Sequence, residues 1–132
     1  MDHTLYASLA NRASDLVEAG EHQQAIEILE QLVDSDLPDF DKAVMSLNIA
    51  TVRDRMGDHD AALASYADAL AYEGSTDSYF VAQQHAAYLS GLGRYEESIS
   101  AYQGLIERPD VKAEDREIFA ANVVTLRKLA GG

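Results

Sequence analysis

Three stretches of the chain repeat one another: Gly20-Glu21-His22-Gln23-Gln24-Ala25-Ile26, Gly57-Asp58-His59-Asp60-Ala61-Ala62-Leu63 and Gly93-Arg94-Tyr95-Glu96-Glu97-Ser98-Ile99. Their glycines stand 37 and 36 positions apart, a period typical of stacked structural repeats. Glycine tolerates positive φ, which suits the residue just past a helix C-terminus. The acidic Glu21 or Asp58 that follows faces the positive end of a new helix dipole. Each heptapeptide is therefore predicted to be the tight turn of an antiparallel helix hairpin.

The flanking segments carry the apolar rows such hairpins need. Before the glycines come Leu5, Leu9, Ala13 and Leu16, then Val44, Leu47, Ile49, Ala50 and Val52, then Phe80, Val81, Ala82, Ala86 and Leu89. After them come Ala25, Ile26, Leu29, Leu32 and Val33, then Ala62, Leu63, Tyr66, Ala69 and Leu70, then Ile99, Tyr102, Leu105 and Ile106. Spacings of three and four place each set on one helix face, so the fold is all-α with six helices in three hairpins. A seventh, about 113–130, opens on Glu114, Asp115 and Glu117 and ends with Arg127 and Lys128, the charge order that complements a helix dipole. It is expected to cap the open apolar face of the third hairpin.

On these residues the chain resembles the tetratricopeptide repeat family, whose unit is an antiparallel helix pair. With the family's turn glycine on Gly20, Gly57 and Gly93, its small residue in the first helix falls on Ala13, Ala50 and Ala86. Its small residue in the second helix falls on Ala25, Ala62 and Ser98, and its aromatic on Leu29, Tyr66 and Tyr102. Three features depart from the pattern, the first being that the small position late in the second helix holds Leu32 and Leu105, with Ala69 alone matching. The bulky position early in the first helix holds Leu9, Ser46 and Ala82, and the extra residues of the longer period fall at Asp36–Asp39 and Glu73–Thr76. The resemblance implies a single domain over 1–132, a right-handed α-solenoid of three antiparallel pairs (repeats about 6–38, 43–74 and 79–109) with the seventh helix as cap.

Composition narrows the function classes. The formal net charge is −13, and it is unevenly spread: four basic residues face sixteen acidic ones up to position 93, and six face seven beyond it. Such a field disfavours nucleic acid and anionic membrane as partners; it either keeps the chain soluble as solvated acidic faces or steers a basic protein segment toward it. Absence of cysteine excludes disulfides and thiolate metal sites. No apolar run approaches a membrane span and Met1-Asp2-His3-Thr4 is no signal-peptide start, so a cytoplasmic location is expected.

No catalytic or metal motif emerges, and the expectation is a non-enzymatic protein with no metal or cofactor. His22 and His59 share a repeat position with Tyr95, which reads as a packing slot at the hairpin turn. His85 lies mid-helix among alanines, and no His-x-x-x-His pair exists. Ser98 replaces a repeat alanine, which argues for size over nucleophilicity. Tyr66 and Tyr102 read as core, while Tyr72, Tyr79 and Tyr88 are open to surface roles.

Stacked helix pairs curve and present a concave groove, which in the family is lined by the first helix of each pair. Carried over by resemblance, the inward positions are Ala7, Ala10, Asn11 and Ser14 in the first repeat. They are Val44, Leu47, Asn48, Thr51, Asp54 and Arg55 in the second, and Phe80, Gln83, Gln84 and Ala87 in the third. Asn48 matches the family's asparagine that hydrogen-bonds a peptide backbone, and Asn11 is its first-repeat equivalent. The lysine–asparagine–arginine clamp by which some members hold a C-terminal carboxylate is absent from the matching positions Ala10, Ser14, Phe80 and Gln84. The expected function is protein–protein interaction in the groove by a monomer or weak homodimer, with Phe80 as apolar anchor. The rival is a self-associating or assembly-scaffold module.

Overall fold

The structure, a computed structural model, describes residues 2–131. It contains seven helices and no strand among them: α1 (His3–Glu18), α2 (His22–Val33), α3 (Asp39–Arg55), α4 (His59–Glu73), α5 (Phe80–Gly91), α6 (Tyr95–Glu107) and α7 (Ala113–Gly131). The repeated glycines are the turns of α1–α2, α3–α4 and α5–α6, with φ of 81°, 81° and 78°. At each turn the glycine N–H donates three residues back, to Val17, Asp54 or Ser90. The next N–H donates five residues back, to Leu16, Arg53 or Leu89, at 2.8–3.0 Å. This is one doubly bonded left-handed helix terminus used three times.

The hairpins close on small residues. Ala13, Ala50 and Ala86 on the first helices and Ala25, Ala62 and Ser98 on the second are at most 2% exposed. Ser98 adds more than size: its hydroxyl donates to the Ala86 carbonyl across the hairpin at 2.7 Å. The acidic residue after the glycine acts as a cap only in the second hairpin, where Asp58 accepts from the Ala61 N–H at 3.1 Å. Arg94 holds the third position instead and pairs with Glu97 at 2.9 Å.

The chain divides into two compact units, one ending at Ser78 and the other starting at Tyr79. In the first, α1–α4, the core is built on Ile26, Leu29, Leu32, Met45, Ile49 and Val52, with Leu9 and Val17 packed against it. In the second, α5–α7, the core is built on Ile99, Tyr102, Leu105, Phe119, Val123 and Leu126. Phe119 of α7 meets Tyr102 at 5.6 Å and Tyr79 edge-on at 6.3 Å, so the seventh helix does cover the third hairpin. Arg116 fastens it, donating to the carbonyls of Ile106, Arg108 and Val111 at 2.8–3.0 Å where α6 runs out.

Three stability measurements follow from this packing, each readable by urea denaturation. Gly57→Ala forces a side chain into a left-handed backbone with open space around it and should destabilise by roughly 1–2 kcal/mol. Gly104→Ala, inside α6 with room for a Cβ, should stabilise by up to about 1 kcal/mol; equal signs would refute the turn assignment. Ala62→Leu, at a fully buried contact, should cost roughly 1–3 kcal/mol, against less than about 0.5 kcal/mol for Ala64→Leu on the exposed face. Arg116→Ala should destabilise by about 1.5–3 kcal/mol through loss of its charged hydrogen bonds, whereas exposed Arg127→Ala should be near neutral.

Candidate functional site

Along α3, Asn48, Thr51, Val52 and Arg55 recur at helical spacing and share a face. With Ala10, Ser14, Val17 and Glu18 of α1 they line a cleft of about 270 Å³ within the first unit. Its floor is apolar: Ala13, Leu29, Met45 and Val52 are each 4% exposed or less. Its rim is polar. The Thr51 hydroxyl donates to the Leu47 carbonyl at 3.2 Å, while the Asn48 amide and the Arg55 guanidinium stand exposed. An apolar floor beneath a few convergent polar groups is the usual build of a recognition site.

Four of the expected groove residues, Ser14, Asn48, Thr51 and Arg55 (with Ala10), therefore come together. Three of the first unit do not. Leu47 is only 7% exposed, so the helix rotation that presents Asn48 turns Leu47 into the packing, and it cannot meet a ligand. Asn11 is exposed but outside the cleft, one position off the α1 row at Ala10, Ser14 and Val17. The Asp54 carboxylate is engaged by His59 Nδ1 at 2.9 Å, also outside it. That pair corrects the reading of His59 as a packed ring: its side chain is 54% exposed. His22 does enter the packing, with a buried Nδ1 that finds no partner.

Phe80, Gln83 and Gln84 belong to the second unit, on the first turns of α5. Phe80 is 46% exposed and thus keeps an accessible apolar face. Tyr79 does not: its hydroxyl donates to Asp115 and accepts from the Lys112 N–H, fixing the ring against Phe119. His85 is held below the ordinary imidazole pKa, first by burial, with Glu97 opposing.

A second cleft, of about 190 Å³, lies within the second unit between α5 and α7. Its lining repeats the first at a fixed offset of 74 positions on the α7 side: Asn122, Thr125, Leu126 and Leu129 correspond to Asn48, Thr51, Val52 and Arg55. Tyr102 takes the floor position of Leu29, and Ala87 and Ser90 those of Ser14 and Val17. The sequence reading of α7 as a cap leaves Asn122 out of the candidate residues. The signal that finds it is Asn48-Ile49-Ala50-Thr51-Val52-Arg53 against Asn122-Val123-Val124-Thr125-Leu126-Arg127. Among the described residues no group of His, Asp and Glu comes together to hold a metal ion, and no helix is long and apolar enough to cross a membrane.

No protein-family model matches the chain, and no curated protein matches it in sequence. Among solved structures its fold is similar to the translocator chaperone SycD of the Yersinia enterocolitica type III secretion system, at a TM-score of 0.65 and 18% identity over 100% of this chain and 90% of that one. The likeness is one of fold, an all-helical chain of the same build.

Proposed function

We propose that this chain is a non-enzymatic protein-interaction module of the tetratricopeptide type that grips an extended segment of a protein partner in the cleft between α1 and α3. The observation that carries the reading is the duplicated Asn-x-x-Thr row, which lines a cleft in each unit beside an apolar floor. An exposed amide at the rim satisfies the backbone of a segment whose side chains enter the floor, and dehydrated backbone groups need such partners. Phe80, with Gln83 and Gln84, is assigned to a further contact patch on α5. The fold's similarity to a secretion chaperone supports a protein as the partner, and the net charge of −13 favours a neutral or basic one. Metals, cofactors, nucleic acid and membrane have no part in this reading, and the location is cytoplasmic.

Panning a displayed peptide library on the purified chain tests it. Selected peptides should bind Asn48→Ala about tenfold more weakly, the loss of one to two hydrogen bonds, and should lose binding to Ala10→Arg, which fills the cleft. Glu117→Gln, on an exposed face of α7, should bind as wild type. Association should slow with added salt. Binding that survives both cleft variants would refute the proposal. The rival, self-association, draws on the exposed Ile118 and Leu129 of α7; a sedimentation mass of two copies at micromolar concentration would favour it.

A further inference from the structure

The opposite face of α3 opens on a larger cleft, about 470 Å³, enclosed by α2, α3 and α4 of the first unit. Its origin is visible in the sequence. Ser46 stands where the first repeat carries Leu9, which packs into the core, and the missing bulk leaves room of ligand size. Ser46 is 1% exposed and lines the cleft, and its hydroxyl makes no hydrogen bond among the described residues. At the rim stand Glu30, Asp34 and Asp68, all exposed. The wall also includes Arg53, whose guanidinium donates to the Ser65 hydroxyl at 2.6 Å and reaches Glu30 at 3.5 Å. Asp34 and Asp68 enter no ion pair or side-chain hydrogen bond among the described residues, so three carboxylates share the lining with Arg53 as its only basic member. Val33, Ile49 and the ring of Tyr72 supply apolar wall, and Tyr72 already draws Lys42 Nζ to 5.9 Å from its centre.

We infer that this cleft receives an arginine or lysine side chain of the bound partner. The aliphatic stem lies against Val33, Ile49 and Tyr72, and the cationic head is held by Asp34 and Asp68 with the Ser46 hydroxyl accepting beneath it. A divalent cation fits less well, because the carboxylates do not converge to metal-binding distance. The inference rests on the protein-interaction reading but names a face of α3 remote from the Asn48 row.

Amide NMR titration of the full chain with acetyl-Gly-Ala-Arg-Ala-Gly-amide, and with its neutral citrulline counterpart, tests it. The arginine peptide should give saturable shifts at Asp34, Ser46, Ser65 and Asp68, and the citrulline peptide should bind at least about tenfold more weakly. Asp34→Asn with Asp68→Asn, two exposed changes that leave the core alone, should weaken the arginine peptide by a similar factor. Ser46→Leu, which refills the cleft, should abolish the shifts with helicity unchanged. Non-saturating shifts, an equal response to citrulline, or full binding by the double asparagine variant would overturn the inference. Shifts confined to Asn48 and Thr51 would also overturn it while leaving the groove reading intact.

Discussion

The close crossing of two helices within each hairpin is the constraint on which the rest depends. It has two parts that work only together. A glycine at φ near +80° reverses the chain in the fewest residues while its neighbours' N–H groups satisfy the last carbonyls of the first helix. Small residues on the two facing rows, all six essentially enclosed, then let the backbones approach. The larger side chains one turn away, such as Leu29 and Tyr102, then fill the core of their own unit, Tyr102 against Phe119 of α7. Core, clefts and exposed rows are all consequences of that spacing.

The hairpins were legible in sequence because that constraint has a local signature. Glycine, small residue and apolar row sit at fixed offsets, and no other geometry satisfies all three at once. The site was only partly legible, and the failures share a cause. Transferring a repeat's inward positions by number assumes one helix rotation. On α3 that rotation exposes Asn48 and Thr51 but buries Leu47, one position and about 100° away. His59 failed differently: alignment with Tyr95 predicted a packed ring, but Asp54 stands one turn back and holds the imidazole at the surface. The second Asn-x-x-Thr row lies on α7, outside the three glycine-marked hairpins, so the repeat register does not extend to it.

The two faces of α3 open on two different clefts. Residues 48, 51 and 55 look into one cleft and residues 46, 49 and 53 into the other, on roughly opposite sides of a single rigid element. The first cleft carries the chain's own cation, Arg55, at its rim. In the second, Arg53 is already tied to Ser65 and Glu30, so the local field is set by the remaining carboxylates. The acidic excess of the first ninety or so residues is thus not a uniform coat. Three of its carboxylates, Glu30, Asp34 and Asp68, stand at one concavity, where low-dielectric walls focus their field more strongly than an open surface would.

That concentration bears on how Ser46 should be understood. A bulky residue replaced by a small one in a core normally leaves a void that destabilises by about 2–5 kcal/mol, whereas at position 46 the space opens as a cleft. Here the serine lines a cleft rimmed by three carboxylates and walled by a tyrosine that already attracts a cation. The neighbouring helices are held in place without it, by Arg53 reaching from α3 to both α4 and α2. Local rules of packing are broken where the surrounding structure over-determines the fold and something other than stability is served. On that ground the departure from the repeat at position 46 is what opens the cleft between α2, α3 and α4.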